Sequence, residues 1–216
     1  MMGAANRLAE LASPGHTGKT RGGEANIERI LDAALAVFAM DGFAGARIDA
    51  IAERAGLSKP NLLYYFRTKA DLYLAVLRRT LDMWLVPLAE MDTQSDPVAA
   101  LTGYVTRKLE YARDFPEASR LFAMEVMRGA PILNGVLEND LKRLVASRAA
   151  LLARWMDAGH LPRRDPVHVL FMIWATTQHY ADFATQVQAL TGRTLEDPGF
   201  FAEARRTVLL AVLGRA

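Results

Sequence analysis

The stretch RIDAIAERAGLSKPNLLYYFRTK, residues 47–69, decides the fold, because it reads as two short helices joined by a tight turn. Apolar residues at helical spacing predict the first helix, and they are Ile48, Ile51, Ala52 and Ala55. Gly56 can adopt a positive φ and so end that helix. Ser58 is a good N-cap for the second helix, and Pro60 suits its first turn. The stretch therefore predicts a helix-turn-helix unit.

Such a unit places its second helix in the DNA major groove, so the same stretch predicts a DNA-binding surface. The local charge agrees with this prediction. Five basic residues face two acidic ones between positions 47 and 69, whereas the whole chain of 216 residues carries a net charge of only +2. A DNA-binding protein usually concentrates its basic residues in one place rather than raising their total.

Composition excludes several other classes of protein. The chain has no cysteine, which excludes disulfides, thiolate metal sites and cysteine nucleophiles, and its four histidines are scattered. No apolar run is long enough to span a membrane, and the first residues lack the apolar core of a signal peptide. We therefore expect a cytoplasmic protein with no metal, no cofactor and no membrane association.

The remaining pattern is helical throughout, with no strand alternation, so we expect an all-α fold of about nine helices. We predict helices over 25–40, 47–56, 58–66, 69–87, 98–113, 116–129, 133–158, 167–190 and 198–213. Residues 1–24 are polar and glycine-rich and predict a disordered arm, in which Arg7, Lys19 and Arg21 either contact DNA phosphates or are simply solvated. The expected domains are a DNA-binding domain over 25–70 and a ligand-binding and dimerisation domain over 71–216.

Beyond this, the sequence resembles the TetR family of transcriptional regulators. The motif is IAERAGLSK, residues 51–59, followed by Leu62, Tyr65-Phe66 and Lys69. The segment FMIWATTQHYADFATQV, residues 171–187, resembles the branch of the family that regulates pyrimidine utilisation, as do residues 61–66, 118–122 and 129–131. The resemblance implies a homodimer that binds a double-stranded DNA operator and responds to a pyrimidine such as uracil or thymine. We expect a ligand-responsive repressor or dual regulator.

Two positions depart from the family pattern. The family often has Thr or Ser where the first motif helix starts, and this chain has Ala46, which removes a side-chain phosphate contact or cap. Pro60 stands where Gly, Thr or Ala is common and removes a backbone N–H donor. The mode of DNA binding is therefore expected to carry over from the family, while individual contacts need not.

The expected DNA-binding residues lie along the two motif helices and at the start of the next helix. They are Arg47, Ser58, Lys59, Pro60, Asn61, Tyr64, Tyr65 and Lys69. Asn61 can read adenine through paired hydrogen bonds, and Lys59 can reach bases or phosphates. For Tyr64 and Tyr65 the alternative is a purely structural packing role, and for Lys69 it is a solvated charge.

The expected effector-binding residues are Trp84, Trp174, Gln178 and Arg120. Trp174 and Gln178 are separated by four positions and so share a helix face. An indole can stack on a planar heterocycle while a carboxamide donates one hydrogen bond and accepts another. The alternatives are a core position for either Trp, and for Arg120 an ion pair with Glu117 or Glu125.

Three other functions stay open at this point. The first is a TetR-type regulator that responds to a different small molecule. The second is an all-α enzyme that uses His179 with Asp182, although no nucleophile stands at a specific spacing and a structural pairing is the better explanation of the two residues. The third is a helical interaction protein with no DNA role. We expect a regulator rather than an enzyme.

Overall fold

The structure is a computed structural model that describes residues 21–92 and 96–214. Every regular element in these residues is helical, which confirms the all-α prediction. The first helices are α1 (Arg21–Gly45), α2 (Ile48–Arg54), α3 (Lys59–Tyr65), α4 (Lys69–Glu90), α5 (Pro97–Asp114) and α6 (Pro116–Met127). Helix α7 consists of three consecutive segments, which are Asn134–Val136, the π-helical turn Leu137–Leu141 and Lys142–Asp157. The last are α8 (Pro166–Asp182), α9 (Ala184–Thr191) and α10 (Pro198–Leu213).

Two predicted boundaries were wrong. Helix α1 begins at Arg21, so residues 21–24 are helical and do not belong to a disordered arm. The rest of that predicted arm, residues 1–20, lies outside the described part of the chain. The predicted helix over 167–190 is divided at Phe183, which has φ −114° and ψ 31°, and this gives ten helices in the described residues rather than nine.

The chain forms two compact units. The first comprises residues up to Met83 together with Arg120–Leu133, and the second comprises Trp84–Ser119 and the residues from Asn134 onward. Helix α4 therefore contributes residues to both units. The predicted domain limits, 25–70 and 71–216, stay a prediction.

The core of the first unit is built on α1 to α4. An aromatic cluster joins α1 to α4, with the Tyr73 ring centroid 4.9 Å from both the Phe38 and the Phe43 centroids. Gly42 has φ 67° and ψ 175°, which breaks the helical path just after residue 40, the predicted end of the first helix. The backbone then turns so that Phe43 can pack on Tyr73.

In the second unit, α8 is packed against α5, α7 and α10. Its inward stripe consists of Val169, Leu170, Ile173, Thr177 and Ala181, all buried. Helix α5 provides a matching buried stripe, made of Leu101, Tyr104, Val105, Lys108, Leu109 and Ala112. Lys108 is the exception in that stripe, because a lysine takes a position where an aliphatic side chain is expected.

No helix in the described residues is both long enough and apolar enough to cross a membrane.

Candidate functional site

The turn between α2 and α3 has the geometry that the sequence predicts. Gly56 adopts φ 66°, and its N–H donates to the Glu53 carbonyl at 3.0 Å. Ser58 Oγ accepts the N–H of Asn61 at 3.4 Å and so caps α3. Ile51, Ala52, Ala55 and Leu62 are buried. These contacts fix the direction of α3 relative to α2.

Helix α3 turns one polar face outward. Lys59, Pro60, Asn61 and Tyr64 are exposed, whereas Leu62 and Phe66 are buried. Lys59 and Asn61 therefore lie opposite the core-facing side of the helix, where they can reach DNA as the sequence predicts. Because recognition helices contact base edges with their N-terminal residues, the exposed N-terminal turn of α3 has the placement needed for reading DNA.

Several of the predicted DNA-binding residues have contacts within the protein. Lys59 Nζ donates to Asp49 Oδ2 at 3.1 Å, in a half-exposed ion pair. Tyr65 is half-buried, and its hydroxyl accepts a hydrogen bond from Asn26 Nδ2 at 3.1 Å. The aromatic rings of Tyr64 and Tyr65 meet edge to face at 5.3 Å. Tyr65 therefore ties α3 to α1.

Lys69 is not simply a solvated charge, which was the alternative interpretation of this residue. Its ammonium donates to the carbonyls of Ala44 at 3.2 Å and Ala46 at 3.1 Å, and lies 4.9 Å from the Phe43 ring centroid. Lys69 thus holds the segment that leads into α2. Ala46 is buried, and the cap position of α2 is occupied by Arg47, which makes no side-chain capping bond.

The basic surface of the motif consequently depends on its arginines. Arg47, Arg54 and Arg67 are exposed, while two lysines of the same stretch have contacts with an aspartate or with carbonyl groups. The positive charge predicted from sequence is therefore present at the surface, although it is carried by fewer side chains than the count of basic residues suggests.

In the second unit, two predicted effector-binding residues lie on α8, four positions apart, and Trp174 has a polar partner. Its indole Nε1 donates to the Tyr104 hydroxyl at 2.6 Å. Tyr104 is buried, and that burial raises its pKa above the ordinary value of a phenol, with the Trp174 hydrogen bond acting in the opposite direction. Gln178 is half-buried, one turn after Trp174. Sequence reasoning did not identify Tyr104.

Trp84, the third predicted effector-binding residue, is buried and faces Lys108. The Lys108 ammonium lies 4.3 Å from the centroid of the Trp84 ring. Burial lowers the pKa of Lys108 to about 7, and the nearby Asp182 carboxylate opposes that change. Sequence reasoning did not identify Lys108 either, although a lysine within the apolar stripe of α5 could have indicated a buried charge.

Asp182 is bonded to a serine, whereas the enzyme hypothesis requires His179 as its partner. Its Oδ1 accepts the Ser119 hydroxyl at 2.5 Å, whereas the exposed His179 ring is stacked on Phe183 at 5.0 Å. The arrangement supports structural roles for Asp182 and His179. Among the residues with described positions, no group of three or more His, Asp or Glu side chains is placed to hold a metal ion.

Arg120 belongs to α6 in the first unit and is half-exposed. The ion pair that was its alternative is not among the ion pairs of the described residues. Glu125 instead accepts the backbone N–H groups of Ile132 at 2.8 Å and Leu133 at 3.3 Å. The role of Arg120 in effector binding stays a prediction.

A cavity of about 210 Å³ lies in the second unit, between the end of α4 and the first turns of α5. It is lined by Pro87, Glu90, Met91, Ala99, Ala100, Gly103, Tyr104 and Arg107. The three predicted effector-binding residues of this unit do not line it. Tyr104 connects the two regions, because it lines the cavity while its hydroxyl accepts the hydrogen bond from Trp174.

An outward-facing second helix, held by a capped turn and a buried core, defines a DNA-binding protein of the helix-turn-helix class. Comparison with known proteins gives its family. Residues 30–76 match the family described as bacterial regulatory proteins, tetR family, and residues 77–215 match the YcdC-like protein, C-terminal region. The chain belongs to the TetR family. It is therefore a transcriptional regulator and not an enzyme.

Individual relatives agree with this assignment. The chain is 53% identical to the HTH-type transcriptional regulator RutR of Escherichia coli K12 over 186 residues, which covers 86% of this chain and 88% of that protein. It is 38% identical over 106 residues to the transcriptional repressor SCO4008 of Streptomyces coelicolor, covering 48% and 51% of the two chains.

Solved structures show the same fold. The putative transcriptional regulator SCO4942 from Streptomyces coelicolor is 30% identical, with a TM-score of 0.66 and coverage of 86% of this chain and 94% of that one. AibR, solved in complex with isovaleryl coenzyme A and operator DNA, has a TM-score of 0.66 at 14% identity, covering 88% and 100%. At that identity the likeness to AibR concerns the fold alone.

Proposed function

We propose that this chain is a repressor of pyrimidine-utilisation genes, which binds its operator as a homodimer and releases it when uracil or thymine binds to the second unit. The observation that carries the proposal is the segment 171–187, which resembles pyrimidine-utilisation regulators. It has Trp174, which donates to Tyr104, and Gln178 four positions apart on one helix. The 53% identity to RutR over most of both chains supports the same assignment.

The chemistry of the effector fits these side chains. Uracil and thymine are planar rings with carbonyl acceptors and N–H donors on their edges. The indoles of Trp84 and Trp174 offer stacking surfaces, and the Gln178 carboxamide can donate to a carbonyl while accepting from a ring N–H. Gln178 is half-buried, and a polar group that a bound ligand removes from water costs about 1–3 kcal/mol when it is left unpaired, so a ligand that pairs with the Gln178 amide is favoured.

On the DNA side, α3 enters the major groove with its N-terminal turn toward the bases. Asn61 reads base edges, while Lys59, Arg47 and Tyr64 contact phosphates and fix the register. Ser58, Pro60, Tyr65 and Lys69 act mainly by holding α3 and the start of α4 in position, because Ser58 caps α3 and the polar groups of Tyr65 and Lys69 have partners within the protein.

Dimerisation involves α8 with α9 and α10, the segments predicted as the last two helices. The outward side of this region is unusually apolar, with Phe171 49% exposed, Phe183 54% exposed and Leu190 78% exposed. Contact between two copies covers these side chains. It also places two α3 helices on DNA at half-sites about 34–36 Å apart or at a multiple of that distance.

Helix α4 provides the route from effector to operator, since the helix that begins at Lys69 also carries Trp84. A ligand that contacts Trp84 and binds one position of α4 better than another shifts the population toward that position. The separation of the two α3 helices then no longer matches the half-sites, and operator affinity falls.

The direct test is operator binding by the full chain with and without uracil and thymine. We expect the unaltered protein to release operator DNA at saturating uracil. Gln178→Leu should still bind the operator but lose the response, and Asn61→Ala should bind uracil normally but lose operator affinity. Operator affinity that stays unchanged at saturating uracil and thymine would contradict the pyrimidine assignment without affecting the regulator class, and thermal-shift screening would then identify a different small molecule.

A further inference from the structure

Lys108 is a buried lysine on α5, with only 3% of its surface exposed. A lysine in such a place costs stability, because its ammonium loses hydration that a purely structural aliphatic residue would not need. Part of that cost is offset by the Trp84 ring, whose centroid lies 4.3 Å from Nζ. The electric field of Asp182 offsets a further part.

Lys108 also lies among the residues assigned to the effector. Trp84, which it faces, is one of them. On α5, Lys108 follows Tyr104 by one helical turn, and Tyr104 holds the indole of Trp174. On α8, Gln178 stands one turn after Trp174 and one turn before Asp182. Helices α5 and α8 pack against each other. The Tyr104 to Trp174 hydrogen bond joins them, and Lys108 and Gln178 each lie one turn further along their own helix.

We propose, on the basis of the function proposed above, that Lys108 is a further effector-binding residue whose ammonium donates a hydrogen bond to a ring carbonyl oxygen of a pyrimidine-2,4-dione. Such a ring has two carbonyl acceptors, and the Gln178 amide has donors for only part of the ring edge. The ammonium provides a charge-assisted donor, which is stronger than a neutral one. Lys108 thereby favours rings rich in carbonyl groups.

This role makes effector affinity depend on pH in a defined direction. The free protein holds Lys108 with a pKa of about 7, and a carbonyl acceptor stabilises the charged form, so binding raises that pKa. Affinity is then full below the free-state pKa and falls by up to about tenfold per pH unit above it.

We expect this dependence to come from Lys108, because the other charged groups near it are a carboxylate and exposed side chains. Asp182 on α8 faces it, and its carboxylate is already held by Ser119. From α4 it meets the neutral indole of Trp84. The charged side chains of α10, which are Glu203, Arg205 and Arg206, are exposed.

The test is calorimetric titration of uracil into the full chain, from about one pH unit below 7 to about one unit above. We compare the unaltered protein with Lys108→Met, Lys108→Arg and a control at an exposed lysine, Lys142→Met. We expect Lys108→Met to bind uracil about ten- to one-hundredfold more weakly and without pH dependence in this range. Lys108→Arg should bind more tightly than Lys108→Met and also lose the pH dependence, because a guanidinium stays charged. Lys142→Met should match the unaltered protein.

Two results would overturn the role of Lys108 alone. One is a uracil affinity of Lys108→Met within about twofold of that of the unaltered protein. The other is a uracil affinity of the unaltered protein that does not change across this pH range. If Lys108→Met does not fold, the pH dependence of the unaltered protein and its loss in Lys108→Arg decide the question. No uracil binding by the unaltered protein would overturn the effector assignment and this inference together.

Discussion

Gly56 shows how one residue sets the geometry of the DNA-binding motif. Its φ of 66° lies in the left-handed region, which costs about 1–2 kcal/mol for a residue with a Cβ. Space is also limited, because a Cβ added at Gly56 would lie 3.0 Å from Nη2 of Arg29. Arg29 bonds the carbonyl of Ala55 and so closes the end of α2. The positive φ is the main reason for glycine at this position, and the contact with the flexible end of Arg29 requires only a small shift of that side chain.

We therefore expect Gly56→Ala to reduce the free energy of unfolding by about 1–2 kcal/mol, as measured by urea denaturation. The matched control is Gly103→Ala, since Gly103 lies in helix α5 and a Cβ there meets no atom within 4 Å. That change should stabilise the protein by up to about 1 kcal/mol. Equal effects of the two substitutions would contradict the backbone argument.

Lys59 and Asn61 should separate phosphate contact from base reading. Lys59→Ala is expected to weaken binding to all DNA sequences alike and to reduce the slope of log affinity against log salt by about 0.9. Asn61→Ala should reduce specific binding by about 1–3 kcal/mol and leave non-specific binding nearly unchanged. Both can be measured by fluorescence anisotropy over a range of salt concentrations. If Asn61→Ala weakened both kinds of binding equally, Asn61 would have no reading role.

At the scale of the helix, three elements of the second unit start in the same way. Helices α5, α8 and α10 each begin at an Asp-Pro pair, at 96–97, 165–166 and 197–198. The aspartate accepts backbone N–H groups of the first turn, and the proline occupies the first helical position, where no N–H is needed. Asp165 Oδ1, for example, accepts from Val167 at 2.8 Å and His168 at 3.0 Å. Each helix start is thus decided by local sequence.

Capping by Asp165 predicts how the stability of the protein changes with pH. Its hydrogen bonds to backbone N–H groups favour the carboxylate and hold the pKa of Asp165 below its ordinary value of 3.8. The stabilisation is therefore present above that ordinary value and is lost as pH falls through the lower folded-state pKa. We expect Asp165→Ala to lower the Tm at neutral pH, whereas Asp165→Asn should keep most of the cap.

Calorimetry at neutral and acidic pH checks this. The difference in Tm between the unaltered protein and Asp165→Ala should shrink as the solution is made acidic. A difference that stays constant down to low pH would show that the charge on Asp165 has no part in capping α8.

At the scale of the whole molecule, the outward side of α8 is the surface that the proposed dimer contact covers. His168, Phe171, Ala175 and His179 form an exposed stripe on the side opposite the buried one. The Phe171 ring lies 6.1 Å from His168 and 5.8 Å from Trp174 between ring centroids. An aromatic stripe of this kind left in water is unfavourable, and covering it with a second copy removes the cost.

We expect Phe171→Asp to shift the protein from dimer to monomer, because a charge at the centre of an apolar contact loses its hydration without gaining a partner. Sedimentation velocity measures the change, and operator affinity should fall with it, since a monomer binds a single half-site. Met40→Asp, at a methionine that is 83% exposed in the first unit, is the control and should leave the dimer intact. A dimeric Phe171→Asp would place the interface elsewhere.

Local features of the site could be predicted, and their physical cause is local. The end of α2 at Gly56, the cap at Ser58 and the outward face of Lys59 and Asn61 depend on residues within a few positions of one another. The division at Phe183 could not be predicted, because the apolar pattern continues across it. Backbone bonding also continues, with the Phe183 N–H donating to His179 at 2.9 Å and its carbonyl accepting from Val187 at 3.0 Å.

The sequence by itself determined the all-helical class, the helix-turn-helix and the pair Trp174 and Gln178 on one helix face, because spacing along a helix is encoded by neighbouring residues. Only the tertiary structure decided which groups meet across 39 or more positions: Asn26 with Tyr65, Ser119 with Asp182, and Tyr104 with Trp174. It also decided that Lys108 is buried against Trp84. Burial and long-range partners depend on how helices pack, and no local pattern specifies that packing.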